Sequence, residues 1–468
     1  RAEDPLRLSS SSITEEAPVF VEAETTGLQL PEGVTGVPRL KVDLDEKAEE
    51  RWAAVIAYFR QDITALRAVI KEEVREIAGP QAAKFLDSLG AVLAPLTTLI
   101  NRKLVYYGRE LAGVAKHAGV PLHEVLLIQF AYEAASCCTS VVLPEPLDTF
   151  VHHFRTMDWE MDIMKKTSVE VEFWKDGSLL FISSAWPAYV GVLTGMRPGA
   201  FSVSVNFRTT GEGYLKNLRN AAGMAWPIGF LVRAALETCL TYNEAVRVLA
   251  ESQLIAPVYF SVAGVANSDG CIVTRDRDKE IQRWTVRERG FSVQPNMEHW
   301  SNDPYDDILM SMDRRALARE RVLELLAVQA HTGEPLDVEE LWKILSEYPI
   351  NNSLTVSGTY MCAAKGHMQT RICNGEAGFL PCANPLPFGG CERVACSSCG
   401  VTYAPELNPA GMCAHKGSWH AKFGDCNYLR CGKGLGVSNL GLQHWSCCYS
   451  TEPARSGCPK STHHTQQA

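Results

Sequence analysis

The first third of the chain carries apolar residues at helical spacing. Between Asp45 and about Ile77 they recur every three or four positions, which predicts an amphipathic helix that Gly79-Pro80 ends. Helical spacing then continues through Ala135. Residues 1–136 are therefore predicted to be mostly helical, after a disordered tail over 1–16 that is rich in serine and charge.

The pattern then changes to short runs of β-branched and aromatic residues. Runs such as "CTSVVL", "VEVEFWKDGSLLFISSAW" and "APVYFSVAGV" have strand length, and turn residues separate them. Lys175-Asp-Gly177 predicts a tight hairpin turn. Helical spacing returns at about 225–239, 242–252 and 312–330. Strands interleaved with helices predict a layered α+β domain of αββα type.

Beyond about Gly375 the periodic pattern gives way to Gly, Pro and Cys. A terminal region so poor in apolar residues cannot fold on a hydrophobic core alone. The predicted organisation comprises a disordered tail over 1–16, a helical segment over 17–137, an α+β domain over 138–374, a linker over 375–390 and a small Cys/His-rich domain over 391–468.

Composition and charge exclude some classes of function. The chain has 468 residues, 46% of them hydrophobic, and a net charge of −9 with no long basic block, which argues against a nucleic-acid partner. Its longest uncharged stretch near the N-terminus, 88–101, is shorter than the roughly 20 apolar residues of a membrane span. No signal peptide is visible, but because the chain begins at Arg1 this says little about its compartment.

The doublet Cys137-Cys138 lies where the helical pattern ends. A hairpin between 138–143 and 149–157 would bring Cys138 beside Arg155 and Asp158. A thiol next to a guanidinium is expected to ionise more readily, and a nearby carboxylate can orient the arginine or bind an amine. The spacing alone favours a small buried cysteine over a catalytic one, because no general base is obvious.

A resemblance carried by several motifs in a fixed order favours the catalytic interpretation of Cys138. "CTSVV", "RTMDW", "GMRPGAFSVSVN", "APVYFSVAGV", "GCIVTRDR", "VQPN" and "MDRR" follow one another, and the likeness covers about 17–372. The chain resembles the acid ceramidase and N-acylethanolamine acid amidase family of N-terminal-nucleophile hydrolases. The resemblance implies self-cleavage between Cys137 and Cys138, with the freed α-amine as general base. Residues 1–137 would then be an α-subunit-like piece and the rest a β-subunit-like piece.

The resemblance also assigns site residues. Cys138 is expected to be the nucleophile, Asp158 to hold the new amino group, and Arg155 to lock Asp158 and the substrate side. Asn296 of "VQPN" is expected to stabilise the oxyanion, and Arg314 to support the site. Without the family, the last two would be interpreted as a turn asparagine and a solvated arginine.

Two positions depart from the family pattern. Phe207 follows Asn206 where the family commonly has a glutamate, and Thr156 stands where it has an asparagine. The first change removes a carboxylate thought to assist self-cleavage and alters a pocket wall. Both departures are expected to affect processing and substrate choice more than the basic chemistry.

The implied reaction is hydrolysis of a linear lipid amide, a ceramide or an N-acylethanolamine, to a fatty acid and an amine, without a catalytic cofactor. The apolar segment 85–107 is interpreted first as a core helix pair, and otherwise as an acyl-chain channel or a membrane-contacting face. Transient contact of the chain with a membrane or a lipid carrier is expected. The alternative function is a catalytically inactive hydrolase fold that acts as a binding protein through its terminal domain.

The terminal domain has the composition of a zinc module. Thiolates and imidazoles at short spacing favour structural zinc, about two ions, over disulfides. Part of the region resembles the cysteine-and-histidine-rich (CHORD) zinc domain, with an insert that holds Cys426 and Cys431. It would recruit a protein partner or stabilise the chain. The candidate ligands are Cys396, Cys399, Cys413, His415, His420, Cys447, Cys448, Cys458 and His463.

The compartment is predicted in two ways. The family resemblance implies an acidic organelle such as the lysosome. Reduced zinc thiolates and a single N-glycosylation sequon, Asn351-Asn-Ser353, suggest the cytoplasm instead.

Overall fold

The computed structural model describes residues 37–66, 106–130, 137–159, 163–210, 217, 220, 225–301, 307–375 and 378–379, and four two-residue strands further on.

Three of the described helices lie in the N-terminal segment, and six lie between the strands of the α+β domain. They are α1 (Ala53–Tyr58), α2 (Gly108–Ala118), α3 (Leu122–Phe130), α4 (Ile163–Thr167), α5 (Ile228–Thr238), α6 (Tyr242–Glu251), α7 (Val286–Arg289), α8 (Ser311–Thr332) and α9 (Val338–Ser346).

The strands form two large sheets and two short terminal pairs. They are β1 (Arg39–Asp43), β2 (Cys137–Pro144), β3 (Val151–Asp158), β4 (Val169–Lys175), β5 (Ser178–Ala185), β6 (Thr194–Arg197), β7 (Phe201–Phe207), β8 (Val258–Ala263), β9 (Gly270–Arg275), β10 (Glu280–Thr285), β11 (Ser292–Gln294), β12 (Thr355–Cys362), β13 (His367–Ile372), β14 (Val394–Ala395), β15 (Thr402–Tyr403), β16 (Trp419–His420) and β17 (His444–Trp445).

The larger sheet has the order β1-β4-β5-β6-β7-β8-β9-β10 and the smaller one β11-β2-β3-β12-β13. Most neighbours are antiparallel, as the sequence predicted from its hairpin signals. The β4–β5 turn is the clearest case. Asp176 and Gly177 both adopt positive φ, 50° and 71°, as a two-residue hairpin turn requires.

The two sheets face each other and helices cover their outer sides, which confirms the predicted αββα arrangement. Val142 of β2 packs against Tyr259 and Ile272 of the larger sheet between the layers. Helices α5 and α6 bury Leu231, Leu236 and Leu249 on the outer face of the larger sheet. Helices α8 and α9 cover the smaller sheet, where Val322 and Trp342 pack near Phe154.

The N-terminal segment differs from the prediction in two ways. Instead of one helix from Asp45, the chain makes turns up to Trp52, then α1, and then further helix over 60–66. Ahead of these turns, β1 joins the larger sheet parallel to β4, with Leu40 and Val42 buried. The mostly helical segment therefore also contributes a strand to the domain that follows it.

The domain also extends past its predicted end. Residues 375–390 were expected to be a linker, yet Phe379 is buried, its ring lies 5.6 Å from that of Trp342, and its N–H donates to Ser346 Oγ at 3.1 Å. Packing against α9 therefore continues at least to Phe379. The predicted tail over 1–16, most of segment 85–107 and nearly all of 391–468 lie outside the described residues.

Among the described residues, none of the helices is long and apolar enough to cross a membrane.

Candidate active site

The β2–β3 hairpin brings the predicted nucleophile and its neighbours together, as the sequence predicted. The register pairs Cys137 with Asp158 and Cys138 with Met157. A guanidinium Nη2 of Arg155 donates a hydrogen bond to Cys138 Sγ, and the Met157 sulfur lies 3.8 Å from the same atom. Cys138, Arg155 and Asp158 therefore share one end of the hairpin.

Arg155 contacts the thiol and not the partner expected for it. It was predicted to lock Asp158, but its other donors reach the hydroxyl of Thr194 on β6 and the carbonyl oxygen of Thr156, at 3.3 Å for the latter. The cation nearest to Asp158 is Arg314, whose Nη1 lies 3.7 Å from Oδ2. Arg155 therefore binds the thiol and Arg314 lies beside Asp158, although the sequence assigned both contacts to Arg155.

Burial determines the protonation of the thiol. Cys138 has no exposed surface, and burial raises the pKa of its thiol above the ordinary value, although the Arg155 guanidinium opposes this. The expectation that Arg155 makes the thiol easier to ionise is correct for that interaction alone. In the intact chain desolvation outweighs it, so the thiol is held neutral and away from solvent.

Asp158 is a fully buried carboxyl with several donors around it. Burial raises its pKa, against the opposing effects of Arg314, Thr355, Asn352 and Arg155. Thr355 Oγ1 donates to Oδ1 at 2.8 Å and Asn352 Nδ2 to Oδ2 at 3.3 Å.

Asn296 holds the backbone N–H of Cys138. It follows β11, the neighbour of β2, and its Oδ1 accepts from Cys138 N at 2.8 Å. Its Nδ2, the group expected to stabilise an oxyanion, donates to the Phe207 carbonyl at 2.9 Å in the intact chain. The predicted oxyanion role therefore requires this bond to be exchanged for one to substrate.

Arg314 is buried inside the site and is not the solvated arginine that the sequence alone would favour. From the first turn of α8 its Nη1 donates to the carbonyl oxygen of Cys138 at 2.8 Å, and its Nη2 to Asn296 Oδ1 at 3.1 Å. Leu309 and Met310 adopt positive φ just before the helix, which is uncommon for such side chains and typical of functional sites.

The two departures from the family pattern both lie at the site. Thr156 Oγ1 accepts from Thr139 N at 3.2 Å, beside Cys138. Phe207 is buried at the end of β7, and its carbonyl binds Asn296. The preceding Asn206 joins the two sheets, since Oδ1 accepts from Ser140 Oγ at 2.6 Å and Nδ2 donates to the Gln294 carbonyl at 2.8 Å.

Sequence reasoning missed three polar residues of this site. Thr194, Asn352 and Thr355 bind Arg155 or Asp158 from β6 and from the start of β12. "NNSLT" before a β-branched run marks a loop entering a strand. That pattern gives no indication of which strand it will join.

The zinc prediction lies almost entirely outside the described residues. Of its candidate ligands only His420 falls in a described strand, β16, whose side chains are not described. Within the described part of the chain, no group of three or more His, Cys, Asp or Glu side chains is arranged to hold a metal ion.

Comparison with known proteins supports the identity suggested by the motifs. Residues 35–95 match the family model described as the beta subunit of N-acylethanolamine-hydrolyzing acid amidase. The matched residues lie in the N-terminal segment, which the family resemblance predicted to be α-subunit-like. A solved Caenorhabditis elegans N-acylethanolamine-hydrolyzing acid amidase ortholog aligns over 50% of this chain and 99% of its own, with 28% identity and a TM-score of 0.44.

Two curated relatives cover most of the chain. N-acylethanolamine-hydrolyzing acid amidase from Cavia porcellus is 31% identical over 342 residues, 72% of this chain and 91% of the relative. Acid ceramidase from Mus musculus is 28% identical over 367 residues, 72% of this chain and 86% of the relative. The chain therefore belongs to the acid ceramidase and N-acylethanolamine-hydrolyzing acid amidase family.

Proposed function

We propose that this chain cleaves itself before Cys138 and then hydrolyses the linear amide bond of a lipid amide. One observation carries the proposal. Three parts of one buried residue are held by three different side chains: the thiol by Arg155, the N–H by Asn296 and the carbonyl by Arg314. A cysteine that merely filled space in the core would need none of these charged or amide partners.

Self-cleavage begins with the Cys138 thiol attacking the carbonyl carbon of Cys137. The peptide C–N bond breaks, its nitrogen gains a proton, and a thioester joins the two residues. Water hydrolyses the thioester, which leaves a carboxylate on Cys137 and a free α-amine and thiol on Cys138. Asn296 Oδ1, which accepts the N–H in the intact chain, is placed to keep the new amine in position.

In the cleaved enzyme the free amine serves as the base. It takes the thiol proton, and the thiolate attacks the acyl carbonyl of the substrate. Asn296 Nδ2 stabilises the oxyanion once it has left the Phe207 carbonyl, and the protonated amine gives its proton to the leaving amine. Water then attacks the thioester, releases the fatty acid and restores the thiol.

The relatives support the substrate class and the acidic working pH. Their names describe an acid amidase that hydrolyses N-acylethanolamines and an acid ceramidase. We therefore place activity at acidic pH, as the predicted acidic organelle would require, and name both lipid amides as candidates. The names lend no support to the cytoplasmic alternative.

The test is intact mass combined with hydrolysis. After incubation of the full chain at pH 4–5, we expect two masses that meet at the Cys137–Cys138 bond, and release of fatty acid from N-acylethanolamine or ceramide. Cys138→Ala should abolish both. Cys271→Ala is the matched control, because Cys271 is an equally buried cysteine on β9, away from the site.

An uncleaved chain without hydrolysis of either lipid would favour the alternative, an inactive fold that acts as a binding protein. Side-by-side assays with the two lipids would show which amide is preferred.

For residues 391–468 we propose structural zinc, because paired thiolates and imidazoles are the donors that zinc prefers. Metal analysis of the purified full chain should find about two zinc ions, and chelation should release them with new reactive thiols. Less than one zinc per chain, with the terminal cysteines oxidised, would replace this proposal with a disulfide framework.

A further inference from the structure

The turn between Asn352 and Thr355 lies directly against the Asp158 carboxylate. Thr355 is the first residue of β12 and stands opposite Asp158 in the β3–β12 register. Trp159 N donates to the Leu354 carbonyl at 2.7 Å, so the main chain ties this turn to the end of β3. Its side chains therefore reach Asp158 from a fixed backbone.

Each carboxylate oxygen has its own donor from this turn. Thr355 Oγ1 lies 2.8 Å from Oδ1, and Asn352 Nδ2 lies 3.3 Å from Oδ2. Thr355 Oγ1 also accepts from Asn352 N at 3.0 Å, which leaves its single proton for the bond to Asp158 Oδ1.

The turn itself is preorganised. Asn352 Oδ1 accepts from Leu354 N at 3.0 Å, and the Asn352 carbonyl accepts from Thr355 N at 3.0 Å. These bonds orient the Asn352 amide so that its NH₂ group points at Asp158. A side chain held in this way loses little entropy when it binds the carboxylate.

We infer that Thr355 and Asn352 are positioning residues for Asp158, which orient its carboxyl group toward the freed amine of Cys138 and favour its ionised form. The inference rests on the proposed role of Asp158. Donors to both oxygens favour the charged form of a carboxyl that burial would otherwise neutralise. A charged carboxylate can bind an ammonium group, whereas a neutral one would have to donate to it.

The pH profile of the cleaved enzyme tests this role. Thr355→Val removes one donor at nearly constant volume. Because the ionised form of Asp158 loses a hydrogen bond, the acidic limb of the kcat/KM profile should move to higher pH by about one unit. Thr355→Ser keeps the hydroxyl and should restore the wild-type limb. Asn352→Ala should shift the limb in the same direction.

The other charged and titratable groups around Asp158 are left unchanged by these variants. They are Arg155 on β3, Arg314 on α8, Cys138 on β2 and Cys373 after β13. The matched control is Thr359→Val on the same strand, a buried hydroxyl that lies 3.2 Å from Thr370 Oγ1 and should leave the limb in place. An unshifted limb in Thr355→Val would overturn the inference.

A second measurement does not depend on activity. In a Cys138→Ala chain, which can neither cleave itself nor turn over substrate, Thr355→Val and Asp158→Asn form a double-mutant cycle. At pH 7 we expect the fall in melting temperature of the double variant to differ by about two degrees or more from the sum of the falls of the two single variants. Additive losses would contradict the inference, while a wild-type chain inactive on lipid amides would contradict only the proposed function.

Discussion

At the residue scale, the site is organised around the main chain of Cys138 as much as around its thiol. Asn296 accepts from its N–H at 2.8 Å and Arg314 donates to its carbonyl at 2.8 Å. Both contacts exist while the preceding peptide bond is intact. The peptide bond proposed to be cut is therefore fixed in space by residues more than 150 positions further along the chain.

The cysteine doublet leads to a direct prediction. Cys138→Ser should slow self-cleavage strongly and nearly abolish hydrolysis, because a hydroxyl is a weaker nucleophile than a thiol. Cys137→Ser should leave both almost unchanged. Mass spectrometry of the new N-terminus checks this, and a terminus at residue 137 in the wild type would assign the nucleophile to Cys137 instead.

The single glycosylation sequon gives a second prediction at this scale. Asn351 is buried, its Nδ2 donates to the Gly375 carbonyl at 2.7 Å and its Oδ1 lies 3.0 Å from Cys373 Sγ. A glycan there would break both contacts. We expect protein secreted from glycosylating cells to carry none at Asn351, so N-glycosidase should leave its mass unchanged. A mass loss would contradict the buried position.

At the element scale, a buried ion pair joins the N-terminal segment to the domain that follows. Glu110 on α2 accepts from Arg233 on α5 through two bonds of 2.7 and 2.9 Å, and from Trp52 Nε1 at 2.8 Å. Arg51 binds the same carboxylate at 2.7 Å. The turn before α1, helix α2 and helix α5 are therefore held together by one carboxyl group.

Replacing that carboxyl should be costly. Glu110→Gln leaves Arg233 without its charge partner on α2, and we expect a loss of about 3 kcal/mol in the free energy of unfolding. Glu237→Gln is the control, since Glu237 is partly exposed and binds Arg233 from the same helix. Denaturant unfolding compares the two, and equal losses would contradict a special role for Glu110.

The pH dependence of this effect has a definite sign. Burial alone would raise the pKa of Glu110, but Arg233 and the bonds from Trp52 and Arg51 hold it below the ordinary value. The stabilisation is therefore present above the ordinary glutamate pKa and is lost as pH falls through the lower folded value. The gap between wild type and Glu110→Gln should narrow at the acidic end of a pH series.

At the scale of the whole molecule, the proposed cut separates pieces that remain interleaved. Strand β1 lies in the larger sheet beside β4, and α2 is tied to α5 through Glu110. Cleavage before Cys138 leaves these contacts intact. We therefore expect the two pieces to remain one folded unit held by a shared sheet and core.

We expect the cleaved pieces to co-elute in gel filtration and to separate only in denaturant. Val42→Asp places a charge at a fully buried β1 position and should release the N-terminal piece. Lys41→Gln, on the exposed side of the same strand, should not. Separation of the wild-type pieces without denaturant would contradict the role of β1.

Local patterns predicted the parts of the fold that depend on neighbours in sequence. The Asp-Gly turn set the β4–β5 hairpin, and a second hairpin brought Cys138 to Arg155 and Asp158 because its strands are only a few residues apart. Helices α5, α6 and α8 followed from apolar spacing. Strand β1 was missed, since five residues gain strand character only from the edge they pair with.

By itself, the sequence determined the hairpin that carries Cys138, the αββα class and, through its ordered motifs, the family. Only the tertiary structure decided how the arginines divide their partners, that Thr355 and Asn352 reach Asp158, and that burial outweighs Arg155 at the thiol. The reason is physical. Hydrogen-bond partners and desolvation depend on residues far apart in the chain, and periodicity carries no information about which of them will meet.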